Sequence, residues 1–232
     1  MPRPFLTAEW CHLVMLNYRV DPALLEPHLP AGTHVARHDG HCYASVVAFQ
    51  FLNTRVLGLP IPFHRDFSEL NLRFYVRRTV AGEVRRGVVF IREVVPRRAI
   101  ALIARLIYNE PYVSLPMRSS VRDGTVRHEW RRDGRWEGLT ATSAEGAAIP
   151  RAGSHEEFIT DHEWGYTRQR DGGTIEYRVQ HDRWPVRQAT DVRIDADFSG
   201  LYGSKLGAAL AHPVTAFVVD GSSVTVGKPV RV

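Results

Sequence analysis

Lysine is nearly missing from this sequence. Of its 30 basic residues only Lys205 and Lys228 are lysine, and the other 28 are arginine. Schiff-base chemistry is thereby confined to two positions. Cysteine is equally scarce: Cys11 and Cys42 are too few for a disulfide framework and do not make a Cys-x-x-Cys site. Both are expected to be reduced, as in a cytoplasmic protein. No run of about 18 apolar residues occurs, so no transmembrane helix is expected. The apolar stretch Phe5–Leu16 is broken by Glu9 and His12 and has no small-residue cleavage site behind it, so no signal peptide is expected either. The Gly-x-Ser-x-Gly, Gly-x-Gly-x-x-Gly and Walker signatures are missing. Gly200–Gly207 has glycines and a lysine without the P-loop spacing, and reads as a turn after a short helix.

What is present is a 232-residue chain, 44% hydrophobic and 24% charged, long enough for one domain over 1–232 with a sizeable core. The net charge of +5 comes from arginines scattered among 25 acids, with no basic arm, so nucleic acid is not the expected partner. Asp-Gly recurs at 39–40, 123–124, 133–134, 171–172 and 220–221, and Ala81-Gly82 adds a sixth reversal. Such pairs suit hairpin loops, and six of them between β-rich stretches predict a mainly antiparallel β fold, a barrel or a sandwich. Helices are few. Asp21-Pro22 opens a short one, Ser154 with Glu157 forms a capping box for another, and a third is expected around 196–207. The one long helix is Pro96–Tyr108, where Ile100, Ile103, Ala104 and Ile107 make one apolar face. The small-residue stretch Gly138–Gly153 reads as a joint between two halves of the barrel.

Three histidines, His34, His38 and His41, flank the first Asp-Gly turn. They straddle the turn instead of sharing a face, so no metal is expected. His155 and His162 read as a solvated helix end. The densest polar cluster is His64, Arg65, Asp66, Glu69 and Arg73. Strand alternation puts Glu69, Asn71 and Arg73 on one face and Leu70, Leu72 and Phe74 on the other. The polar face lines a barrel interior or meets solvent. The apolar, proline-rich loop Leu57–Phe63 before it suits a cavity mouth.

Asn17–Leu29 (NYRVDPALLEPHL), Phe67–Val76 (FSELNLRFYV), Phe158–Tyr166 (FITDHEWGY) and His181–Trp184 (HDRW) resemble the YqjF-like bacterial domain-of-unknown-function family over nearly the whole chain. The first half also resembles acetoacetate decarboxylase more distantly. Tyr18-Arg19-Val20-Asp21 with Pro30 stands where that family has its active-site arginine stretch, and Phe67-Ser68-Glu69 where it has a strand-borne glutamate. Tyr108-Asn109-Glu110 leads into Leu115-Pro116-Met117, where Met117 replaces the Schiff-base lysine and Arg118 a second lysine. The resemblance implies an antiparallel β-barrel or cone with a central cavity, one long helix and a few short ones. It also implies a pocket holding Arg19, Glu69, Glu110 and Met117, to which His64, Arg73, Tyr112 and Arg118 are added as candidate ligand-binding residues. Methionine cannot form an imine and arginine stays protonated, so the decarboxylase chemistry is not expected to carry over.

Three readings follow. In the first, the barrel binds a small molecule, a carboxylate among the candidates, without covalent catalysis. In the second, it is an acid–base enzyme acting on a small organic acid or carbonyl compound, with Glu69 as base and Arg19 as carboxylate anchor. Arg19 and Glu69 could also simply pair with each other. A third reading, a nucleic-acid-associated protein, is motivated only by the basic pI of about 9.5; no cofactor, metal, nucleic acid or membrane is expected in the first two, and a homo-oligomer is compatible with both.

Overall fold

The computed structural model describes residues 4–107, 109 and 111–232, with backbone alone for 103–107. Fifteen strands carry most of these residues: β1 (Leu6–Val20), β2 (His34–Val35), β3 (Cys42–Val56), β4 (Leu59–Pro60), β5 (Phe67–Val80), β6 (Glu83–Val95), β7 (Tyr112–Ser114), β8 (Met117–Arg122), β9 (Thr125–Arg132), β10 (Arg135–Ser143), β11 (Trp164–Arg168), β12 (Thr174–His181), β13 (Val186–Asp195), β14 (Thr215–Val226) and β15 (Val230–Arg231). Four helices join them: α1 (Arg98–Ile107), α2 (His155–Thr160), α3 (Phe198–Tyr202) and α4 (Ser204–Ala209). Only α1 is long. The Asp21-Pro22 start gives two 3-10 turns, Pro22–Leu24 and Glu26–His28, with the Asp21 side chain accepting from the Ala23 amide.

Strands β12, β11, β6, β5, β3, β1 and β14 pair in that order, and a further β12–β14 pairing closes them into a ring. The ladder is antiparallel except where β6 meets β11 and β7. From β14 a second sheet continues through β13, β10, β9 and β8 against the outside of the ring. The ring strands are therefore apolar on both faces. Leu13, Met15, Val47, Phe49, Tyr75 and Phe217 point inward, while Val14, Leu16, Val46, Leu70, Leu72 and Phe74 pack outward. Trp130, Leu139 and Ala141 of the second sheet and Phe198, Leu201 and Leu206 of α3 and α4 complete the outer core.

Five of the six expected reversals are turns. The sixth, Asp220-Gly221, lies inside β14, where Gly221 at φ +96° pairs with Cys11 of β1. The glycine serves backbone contact there: a Cβ would stand 1.7 Å from the Trp10 carbonyl oxygen. The stretch expected to join two half-barrels is instead partly strand, since β10 runs on to Ser143. The helix expected over Pro96–Tyr108 covers Arg98–Ile107, and Tyr108 lies outside the described residues. No helix among the described residues is long and apolar enough to cross a membrane.

Cys42 is buried and Cys11 half-buried, and both are free. Burial raises both thiol pKa values. A thiol titration under denaturing, non-reducing conditions is expected to count two groups, with Cys42 slow in the native protein; a count of zero would contradict this.

Candidate functional site

Inside the ring lies a cavity of about 190 Å³. It forms because β5 turns one face inward, carrying Phe67, Glu69, Asn71 and Arg73, while Leu70, Leu72 and Phe74 fill the outer core. Its remaining walls are mostly aromatic and aliphatic, among them Trp10, Val47, Phe49, Phe51, Phe90 and Tyr177. Ile61 of the proline-rich loop, His64 just after it, and Ala99 and Ile100 of α1 complete the lining. His64 is half-buried, and its Nδ1–H donates to the Pro62 carbonyl at 2.7 Å.

The polar floor is a ladder across three strands. Asn71 of β5 lies opposite Glu93 of β6, and Glu93 opposite Tyr112 of β7. Glu69, Asn71 and Glu93 are each 2% exposed. Tyr112 donates its hydroxyl to Glu69 Oε2 at 3.1 Å, and Asn71 Nδ2 donates to Glu69 Oε1 at 3.0 Å. A register shift between Leu72 and Arg73 inserts Ile91 as a bulge in β6 and so brings Glu93 to the same side as Phe90.

Beyond the floor, α2 closes the ring interior. Ser154 caps it by accepting from the Glu157 amide, and Ile159 is fully buried. Arg73, at the α2 end of the cavity floor, donates to the Ile159 carbonyl at 3.2 Å. His162 stacks on Tyr75 at 4.8 Å and donates from Nε2 to the Phe158 carbonyl at 2.6 Å. Burial first, and the Arg73 charge second, push its pKa down to about 3. The expectation that His155 and His162 form a solvated helix end is therefore wrong. His162 is buried, and His155 joins a polar network at the far end, bonding Thr215 Oγ1 at 2.9 Å. Thr215 accepts from Asn17, which accepts from Ser45, and Ser45 bonds the Tyr75 hydroxyl. Helix α2 faces inward because Phe158 and Ile159 pack against the ring core.

Of the expected site residues, the cavity brings together His64, Glu69, Arg73 and Tyr112. Arg19 does not join them. It is exposed beyond the α2 end, with its Nε 3.4 Å from the Tyr43 hydroxyl. Met117 is also elsewhere: β8 belongs to the second sheet, so Met117 packs against the outer core and borders a separate groove with Gln50, Ser68 and Pro116. Ser68 and Glu69 are neighbours on β5 and point to opposite faces, which separates Met117 from Glu69. Arg118 is exposed, paired with Glu129 at 2.7 and 2.9 Å and lying over the Trp136 ring. Glu110 lies outside the described residues. Sequence reasoning missed Glu93, whose one signal is a lone acid, next to Arg92, inside the run Val88–Val95. Among the described lining residues there is no lysine, and Lys205 and Lys228 are both exposed elsewhere.

Solved structures share this architecture. Acetoacetate decarboxylase from Legionella pneumophila superposes with a TM-score of 0.69 at 13% identity, covering 100% of this chain and 92% of that one. An acetoacetate decarboxylase-like enzyme from Sphingomonas wittichii RW1 gives 0.63 at 18% identity, covering 98% and 92%. The enduracididine biosynthesis enzyme MppR complexed with pyruvate gives 0.67 at 17% identity, covering 100% and 91%. The fold is thus of the acetoacetate decarboxylase-like class. Within that class the chain belongs to the DUF2071 family, described as "Uncharacterized conserved protein", whose model matches residues 7–222. No curated protein matches the chain.

Proposed function

We propose that the protein binds a small, mainly apolar molecule inside the ring, its polar head resting on Glu69, Asn71 and Arg73, and that it does so without an imine intermediate. The observation that carries this reading is an apolar cavity with a polar floor and no lysine among its described lining residues. Such a concave, aromatic-walled site with a few convergent polar groups is the usual form of a small-molecule pocket. Arg73, and not Arg19, is the guanidinium that lines the cavity. One solved relative by fold, MppR, was obtained with pyruvate, a small carbonyl compound. Borohydride reduction in the presence of acetoacetate is expected to leave the intact mass unchanged and to release no carbon dioxide. An adduct on Lys205 or Lys228 with carbon dioxide release would refute the non-covalent reading.

A second reading, acid–base catalysis by Glu69, is favoured by one feature. Tyr112 and Asn71 each hold one of its carboxylate oxygens, which fixes the group at the cavity wall. Under this reading the protein exchanges hydrogen for deuterium next to the carbonyl of a small ketone, and Glu69→Gln slows that exchange by about 100-fold or more. Exchange at the same rate in the variant would remove Glu69 from the chemistry.

A further inference from the structure

Strand β5 brings two buried polar atoms without a hydrogen-bond partner to the cavity lining, and they are of opposite sense; Trp10 Nε1 and Thr54 Oγ1, on other strands of the lining, are likewise without one. Asn71 is 2% exposed, and its amide nitrogen is committed to the Glu69 carboxylate at 3.0 Å. That bond fixes which way round the amide sits, so the remaining atom, Oδ1, is an acceptor. It has no hydrogen-bond partner. Two residues further on, Arg73 is 8% exposed and donates through a terminal nitrogen to the Ile159 carbonyl, while its Nε–H, a donor, has no partner. Both side chains line the cavity. Residues two apart on a strand share a face, with their Cα atoms about 6.6 Å apart along it, so both side chains flank the same stretch of cavity wall.

We propose that the cavity recognises a neutral head group carrying an acceptor and an N–H or O–H donor side by side, such as a primary carboxamide or an α-hydroxycarbonyl. This rests on the reading of the cavity as a ligand site and names the class of ligand. The head's acceptor meets Arg73 Nε–H and its donor meets Asn71 Oδ1. A ketone supplies only the acceptor and leaves Asn71 Oδ1 buried and unpaired, and a hydrocarbon leaves both atoms so. A carboxylate, likewise acceptor-only, has the same fault. Leaving one such buried group unpaired weakens binding by about tenfold or more. The volume limits the rest of the ligand: a cavity of about 150 Å³ holds benzene, so about 190 Å³ here suits one ring and a short head.

Four probes with one body and different heads test this by calorimetric titration of the full chain at pH 7: toluene, phenylacetone, phenylacetate and phenylacetamide. Phenylacetamide is expected to bind at least about tenfold more tightly than each of the others. Asn71→Leu should bring phenylacetamide down to the level of phenylacetone. Should that variant fail to fold, the ranking on the unaltered protein decides alone. Equal affinity for all four probes, or tightest binding of phenylacetate, overturns the head-group proposal and leaves the cavity as a binding site. If none binds, toluene included, the proposal and the reading beneath it both fall.

Discussion

Gly221→Ala is expected to destabilise the protein by at least about 3 kcal/mol, a large part of the roughly 5–15 kcal/mol that holds a domain folded. Two causes act together. The residue sits at φ +96°, a conformation that L side chains rarely adopt. Its new methyl group would also stand 1.7 Å from the Trp10 carbonyl oxygen, which is backbone on a paired strand and cannot swing aside. Strand β1 or β14 must then shift, and β14 is the strand shared by the ring and the second sheet. Urea denaturation monitored by circular dichroism measures the loss. A midpoint unchanged from the parent protein would show that the β1–β14 contact is looser than described.

Acid is expected to destabilise the protein progressively from about pH 6.5 down to about pH 4. His128 and His162 are both buried, and burial is the main cause that lowers their pKa values to about 4 and about 3. Each has its ring fixed by a backbone carbonyl: His128 donates to His12 at 2.8 Å and His162 to Phe158. The unfolded chain binds protons on these rings near the ordinary histidine pKa of about 6.5, and the folded chain does not. Below that value the unfolded state therefore holds more protons, and stability falls as pH falls. With both shifts acting, the loss between pH 7 and 4 is on the order of 5 kcal/mol. Thermal melts across this range should show the midpoint dropping steadily below pH 6.5. His162→Phe keeps a ring against Tyr75 and removes one titration, so its profile should be flatter. A parent profile level from pH 7 to 4 would contradict the burial of both rings.

Which residues of β5 share a face was legible in the sequence because Glu69–Phe74 alternates polar and apolar residues, but that the polar face turns inward was not, since it depends on how distant strands close the ring. The capped α2 and the amphipathic α1 were legible for the same kind of reason, a local pattern with a local cause. Glu93 was hidden by the bulge at Ile91. Unbroken alternation would put it on the face opposite Phe90, and a bulge leaves no mark in the sequence. Met117 misled for a different reason. Its place after Pro116 matches a family position along the chain, but which side of a sheet a strand covers depends on partners distant in sequence, here Trp130 of β9. Asp220-Gly221 has hairpin composition, yet its glycine is there for the close approach of β1. Similarly, the charged surroundings of His155 and His162 concealed that Phe158 and Ile159 draw α2 into the ring.

The central claim is that this lysine-free, aromatic-walled cavity is where a small molecule binds. The most direct measurement is a crystal soaked with iodobenzene, whose iodine is located by its anomalous scattering. The account predicts one strong iodine site inside the ring, among Phe49, Phe67, Phe90 and Tyr177 and above the floor formed by Asn71 and Arg73. Iodine found only on the outer surface or in the groove beside Met117, with the ring interior unchanged, would contradict it.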